Sequence, residues 1–418
     1  MKSKFSVLSL FLLILFLGQT ALAVESAAAI EELRSRGPEG LQDLRLRYAA
    51  QIKKHIDDPT LKPDGEWLRI TKALDTVSGQ KDSYLSGLYW YTDLTEARKV
   101  SQQTGKPILS LRLLGKLTDE LSCANSRFFR TVLYSNAEVS GVLRDRFVLH
   151  WQSVRPAPVI TIDFGDGRKL ERTITGNSIH YVLDSSGLPI DAFPGLYGPQ
   201  AFLRGLREAE GLFKLLVPVD TAAQRAVVMA NYHRVRNTRS SAAWANDTAR
   251  IGGKIPGGLT VTQGSNGKYT AIAVAQLAAT KMVTERSILR EIQGAAEALA
   301  KVTDETAWRK VAQLHAADAV LDSRSIGLIK RQNSALPEQE FATMLKKFQE
   351  LVALDTVRNE YLMHSRLSLW LLQDPTRTDL EKFNEKVYAE LFLTPRSDDW
   401  LGLLQRDVYV GIDNGGIH

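Results

Sequence analysis

Apolar residues recur at helical spacing from residue 26 to about 85, where Ile30 and Leu33, then Leu41, Leu44 and Leu46, are separated by charged positions. Gly37-Pro38 interrupts the first helix, and Pro63-Asp64-Gly65 marks a turn before a second one around Trp67 to Val77. From residue 88 the pattern alternates between strands and helices. Asp93 suits the N-cap of a helix from Leu94 to Thr104 that Gly105 closes. Lys106 to Leu113 then reads as a short apolar strand. A helix is expected to begin at or just after Cys123 and to run past Phe128, Phe129 and Leu133, and Phe147 to Trp151 is a second apolar strand.

Val159 to Ile174 predicts a hairpin turning at Gly165-Asp166-Gly167. Asp163 and Asp166 are too few carboxylates for a calcium loop, and the terminal glutamate of such loops is missing. Ile179 to Leu183 and Ile190 to Phe193 are two further strands, and Gly198-Pro199 opens a helix from Gln200 through Phe213. Beyond Pro218 the chain turns helical again, with amphipathic stretches over Ala271 to Ala300, Glu305 to Leu321 and Pro337 to Leu354. The pattern divides the chain into a helical prefix over 24–87, an α/β domain over 88–216 with a hairpin insertion at 157–175, and a mainly helical C-terminal domain over 219–418.

Ahead of these regions, Lys2 and Lys4 precede an apolar run from Phe5 to Leu17, and Ala21-Leu22-Ala23 offers a small-x-small cleavage site. Residues 1–23 therefore read as a signal peptide, with export to a periplasmic or extracellular location and no membrane insertion of the mature chain. Losing the two lysines lowers the formal charge from +6 to +4, with both signs interspersed. The densest basic stretch, Arg234 to Arg239, interleaves with few aromatics and reads as a solvated helix end or loop, so no nucleic-acid partner is expected. Gly252-Gly253-Lys254-Ile255 places Ile255 where a phosphate-binding loop needs serine or threonine, which leaves a linker or turn and no cofactor. Trp370 and Trp400 read as core and capping residues.

The sequence holds one cysteine, Cys123, in Ser122-Cys123-Ala124-Asn125-Ser126, so no intramolecular disulfide exists. A strand, a cysteine at the following helix start, a second strand, two further strands and a closing helix form an ordered set. With the C-x-x-S motif, Asn136-Ala137-Glu138-Val139 before Arg146-Phe147-Val148, and Leu183 to Gly187 followed by Gly195, it resembles the thioredoxin-like fold over roughly residues 88 to 210. The resemblance implies that Cys123 is the attacking thiol, favoured as thiolate by unpaired N–H groups at the helix start. Ser126 then stands at the resolving position, where it closes no disulfide but has a hydroxyl to donate to the thiolate. Monothiol exchange with, or capture of, thiol- or disulfide-containing proteins follows.

Two positions depart from the family pattern: Ser122 replaces an aromatic residue, and Ser178 or its neighbour stands where a cis-proline aligns the substrate. Two readings stay open, a single-cysteine C-x-x-S protein working by exchange or capture, and a redox-inactive thioredoxin-like scaffold that binds a protein partner in the cell envelope. His150 and His180 fall on strands expected to be close neighbours. Read as core or edge residues they call for no metal, while convergence on Cys123 would form a Cys/His constellation. Ser178 lacks the G-x-S-x-G setting of a hydrolase nucleophile.

Overall fold

In a computed structural model of the protein, residues 26–173, 176–253 and 304–397 are described. The apolar leader at 1–23, the glycine-rich segment from Lys254 on, the stretch Ala271 to Ala300 and the end of the chain with Trp400 lie outside the described residues. The protein is mixed α/β, with a small four-stranded sheet, a helical prefix before it and a helical region after it.

The prefix comprises α1 (Ala27–Ser35), α2 (Pro38–Arg47), α3 (Ala49–Asp57), α4 (Gly65–Ser78) and the single turn α5 (Ser83–Ser86). Pro38 opens α2, where the missing N–H costs nothing, and Asp64 caps α4 by accepting from Trp67 N. The apolar stripes meet in their own cluster around Leu44, Trp67, Leu74 and Tyr84. Arg34 fastens this cluster to the rest by donating to Val77 O at 2.8 Å and Trp90 O at 2.6 Å.

The sheet begins with α6 (Leu94–Thr104). Asp93 accepts from Thr95 N at its start, and Gly105 at φ +66° ends it in the left-handed region that a side chain disfavours. Then follow β1 (Ile108–Leu114), α7 (Ala124–Phe128) running into a π-helical turn (Phe129–Leu133), α8 (Ala137–Arg146) and β2 (Val148–Arg155). The exposed hairpin β3 (Val159–Asp163) and β4 (Lys169–Thr173) pairs only with itself, after which come β5 (Ser178–Leu183), β6 (Pro189–Pro194) and α9 (Pro199–Leu216).

Strand order is β2-β1-β5-β6, with β1 parallel to β2 and antiparallel to β5, and β6 antiparallel to β5. Every residue of β1, β5 and β6 is buried, so both faces of the sheet are covered, which explains why these strands read as continuous apolar runs. Tyr91 satisfies the outer edge of β2 by exchanging bonds with Leu149 O and Trp151 N.

Beyond α9 come α10 (Ala222–Arg250), α11 (Glu305–Leu314), α12 (Ser323–Gln332), α13 (Glu338–Arg358), a π-helical turn (Asn359–His364), α14 (Ser365–Gln373) and α15 (Leu380–Lys386). Their apolar residues, among them Trp308, Val352, Leu367 and Phe383, join one continuous core with Leu109, Tyr181 and Phe193 of the sheet. Arg331 at the end of α12 reaches back to the prefix, donating to His55 O at 2.8 Å and Pro59 O at 3.0 Å.

Candidate functional site

After β1 the chain turns back so that the Cys123 N–H donates to Leu114 O at 3.4 Å. Cys123 is the N-cap of α7, as the sequence pattern placed it, and its Sγ accepts the Ser126 N–H at 3.4 Å. The sulfur thus serves one of the N–H groups that a helix start leaves without an intrahelical partner. The Ser126 hydroxyl does not point at the thiol as expected; it donates to Ser122 Oγ at 2.8 Å. Ser122, Cys123 and Ser126 are all fully buried, at 0% exposure.

Two contacts close the environment from the far side. Asn125 Nδ2 donates to Ser178 Oγ at 2.8 Å, and Thr173 Oγ1 donates to Ser122 O at 3.3 Å. Ser178, the residue at the position expected of a cis-proline, therefore packs directly on α7, and every described peptide bond is trans. Gly176 sits so near that a Cβ there would lie 2.7 Å from Asn125 Oδ1.

Two arginines flank the cysteine helix. Arg127 is half-buried and donates to Thr173 Oγ1 at 3.0 Å. Arg130 is buried and donates from Nη2 to Ser122 Oγ at 3.2 Å and Glu120 O at 3.4 Å. Burial holds both guanidinium pKa values below their ordinary range, and in each case a charge on Cys123 acts in the opposite sense.

The two histidines do not form a site with the cysteine. Ser110 is opposite His150 and the next residue, Leu111, is opposite His180, so the imidazoles lie on opposite faces of the sheet. His150 Nδ1 pairs with Ser110 Oγ at 2.8 Å, and His180 Nε2 with Tyr134 OH at 2.7 Å. Burial pulls both pKa values down to about 3, with Arg112 adding to the effect at His150, so both imidazoles are neutral. Among the described residues no group of three or more His, Cys, Asp or Glu is arranged to hold a metal ion, and no described helix is long and apolar enough to cross a membrane.

Compared with family models, with curated proteins and with solved structures, the chain matches none.

A second polar cluster escaped the sequence reading. Asp191 on β6 is fully buried; its Oδ1 lies 2.9 Å from His364 Nε2, and its Oδ2 accepts from Tyr232 OH at 2.8 Å. His364 Nδ1 accepts from Arg236 Nη2 at 2.8 Å, which places the imidazole proton on Nε2. Arg236 also donates to Glu208 and Glu360, both at 2.7 Å. Next to it, Arg204 grips Asp318 with two bonds of 2.6 and 2.8 Å, and His315 Nε2 lies 2.6 Å from Asp247 Oδ2. The Asp318 and Asp247 carboxylates raise the His315 pKa against the effect of burial.

From the two groups, Arg204, Glu208, Arg236, His315, Asp318 and Glu360 line a cavity of about 270 Å³ between β6, α9, α10 and α13. Each carboxylate there already has a cationic or imidazole partner, and Tyr197 OH lies 3.4 Å from His364 Nδ1, so the cluster ties the helical region to the sheet. Glu360 and His364, four residues apart on one helical face, were its only local signal.

Proposed function

We propose that this chain is an exported protein of thioredoxin-like fold that acts by binding a protein partner in the cell envelope, with Cys123 as a structural residue. The observation that carries this reading is the burial of Cys123, at 0% exposure within the apolar core. Attack on a partner's disulfide requires an in-line approach to an accessible sulfur, and the resting packing offers none. The fold assignment draws support from the strand order, from the parallel β1–β2 pair joined through α7 and α8, and from α9 following β6. Export draws support from Lys2, Lys4, the apolar run and Ala21-Leu22-Ala23. A partner surface is suggested by the projecting hairpin, which leaves Val159, Ile162 and Phe164 exposed.

One observation favours the alternative, monothiol exchange through Cys123. The Ser126 N–H on the sulfur and the nearby charges of Arg127 and Arg130 would stabilise a thiolate once the site opened. Alkylation separates the two. On the binding reading, iodoacetamide labels Cys123 in the native protein at least about a hundredfold more slowly than in urea, because access requires local unfolding. Rapid native labelling already near pH 6 would instead establish the exchange reading.

A further inference from the structure

Beside the cysteine helix, α7 and its π turn face α12 and α13 across a cavity of about 380 Å³. Arg127 and Arg130 both line it, and among the described residues neither guanidinium has a carboxylate within ion-pair distance. Arg130 is only 3% exposed, yet its Nε and Nη1 find no protein acceptor, and Arg127 Nε is in the same state. Two other deeply buried arginines have carboxylate partners: Arg112, whose Nε is likewise without an acceptor, has Glu381 at 2.8 Å, and Arg236 has Glu208 and Glu360. A buried guanidinium with unused donors is costly to keep unless something answers it.

The charges on the cavity wall define what that something is. Its acidic residues are Asp82 and Glu120, and Glu120 is already held by Lys81 at 2.7 Å. Among the described residues Asp82 ion-pairs with neither arginine, so the two guanidiniums are the cations of the wall that lack an ion-pair partner, while Asp75 stands behind it, bonded to Ser83. Phe128, Ile329, Met344 and Phe348 form an apolar part of the wall, beside the polar Thr131, Gln332 and Asn333. Met344 and Phe348 also border an open groove along α13 with Thr343, Lys347 and Leu351, which gives room for an elongated stem.

We propose that this cavity binds a carboxylate on an apolar stem, with Arg127 and Arg130 as counter-charges and the Phe128–Phe348 wall around the stem. The orphaned nitrogens are themselves inaccessible, so a side-chain rearrangement accompanies binding. The site does not depend on whether Cys123 exchanges disulfides.

Calorimetric titration of the purified protein with decanoate tests the proposal, with decanol as the uncharged control. A parallel arm uses the tripeptide Leu-Leu-Phe with a free or an amidated C-terminus. Saturable binding of decanoate or of the free-acid peptide is expected, at least about tenfold tighter than its uncharged counterpart and weakened about tenfold by Arg127→Met. Arg130→Met should have the same effect if its circular dichroism shows it folded. If it does not fold, Met344→Trp carries the test, since it narrows the cavity without touching either arginine and should abolish binding. Binding of decanoate alone marks an aliphatic acid and binding of the free-acid peptide marks a peptide end; both uphold the site. Equal binding of the uncharged counterparts, no saturation by either acid, or full affinity in Arg127→Met overturns it.

Discussion

His150 and His180 are two neutral imidazoles built into opposite faces of one sheet, and this makes the protein sensitive to mild acid. Their pKa values of about 3 lie below the unfolded value of 6.5. Between those limits the unfolded chain takes up protons that the folded chain refuses. The stability these sites support is therefore complete above pH 6.5 and is lost as pH falls towards 3. Each contributes a slope of up to about 1.4 kcal/mol per pH unit. His315 acts in the other direction, and only above pH 6.5, because its pKa is raised; carboxylates enter chiefly below about 4.5, except Asp75, whose pKa burial raises to about 6 and which offsets part of the loss below that pH. Urea unfolding at steps from pH 6.5 to 5 should thus show a steady loss of stability. His180→Phe should flatten that slope by roughly 1 kcal/mol per unit, although it lowers stability at every pH by orphaning the Tyr134 hydroxyl. An unchanged slope would mean that His180 is not the buried neutral group its surroundings make it. At this scale the position of Cys123 at a helix start was legible, because capping is a local matter. The partner of the Ser126 hydroxyl and the burial of the sulfur were not, since they depend on Ser122, Thr173 and Ser178, which only the fold brings together.

Among the elements, α9 gives a test with its own control. Gly205 and Gly211 lie on the same helix, and replacing glycine by alanine in a helix normally stabilises by about 1 kcal/mol. At Gly211 an added Cβ meets nothing within 4 Å, so Gly211→Ala should gain about that amount. At Gly205 the same atom would lie 2.4 Å from Phe193 Cε1, and the Phe193 ring is locked against Phe202, Tyr197 and His364. Overpacking of this kind costs about 1–3 kcal/mol, so Gly205→Ala should destabilise despite the better propensity. Thermal melts of the two variants check the sign; stabilisation by both would mean that α9 sits less tightly on β6 than its glycine implies. The elements themselves were the most legible part of the chain. The Asp93–Gly105 helix, the strands and the Gly165-Asp166-Gly167 hairpin fall where period and turn chemistry placed them, because capping and alternation act over a few residues. The π-helical turns at Phe129–Leu133 and Asn359–His364 left no such signature.

For the whole molecule, the question is whether the helices after α9 form a unit of their own. The apolar core argues that they do not, since Phe383 packs on Tyr181, and Trp308 and Val352 belong to the same cluster as Leu109. The polar contacts point the same way. Arg112 in the middle of β1 is 1% exposed and takes its carboxylate from Glu381 on α15, Tyr388 OH donates to Asn177 O at 3.1 Å, and Asn359 Nδ2 donates to Leu196 O at 2.7 Å. None of this was legible from the sequence, because contacts between residues some 160 to 270 positions apart leave no periodic trace. If the sheet and these helices share one core, unfolding is a single transition. Glu381→Ala separates the alternatives, since it touches only an exposed carboxylate on α15 but leaves Arg112 without its counter-charge inside β1. Because Glu381 is largely solvated, the expected cost is on the order of 1 kcal/mol. In a cooperative molecule that loss appears equally in hydrogen exchange of amides in β1, β5 and α13, and circular dichroism and tryptophan fluorescence give one midpoint in urea. Faster exchange confined to α15 and its neighbours, with β1 and β5 unchanged, would show that the helical region opens by itself and that the sheet keeps its protection without it.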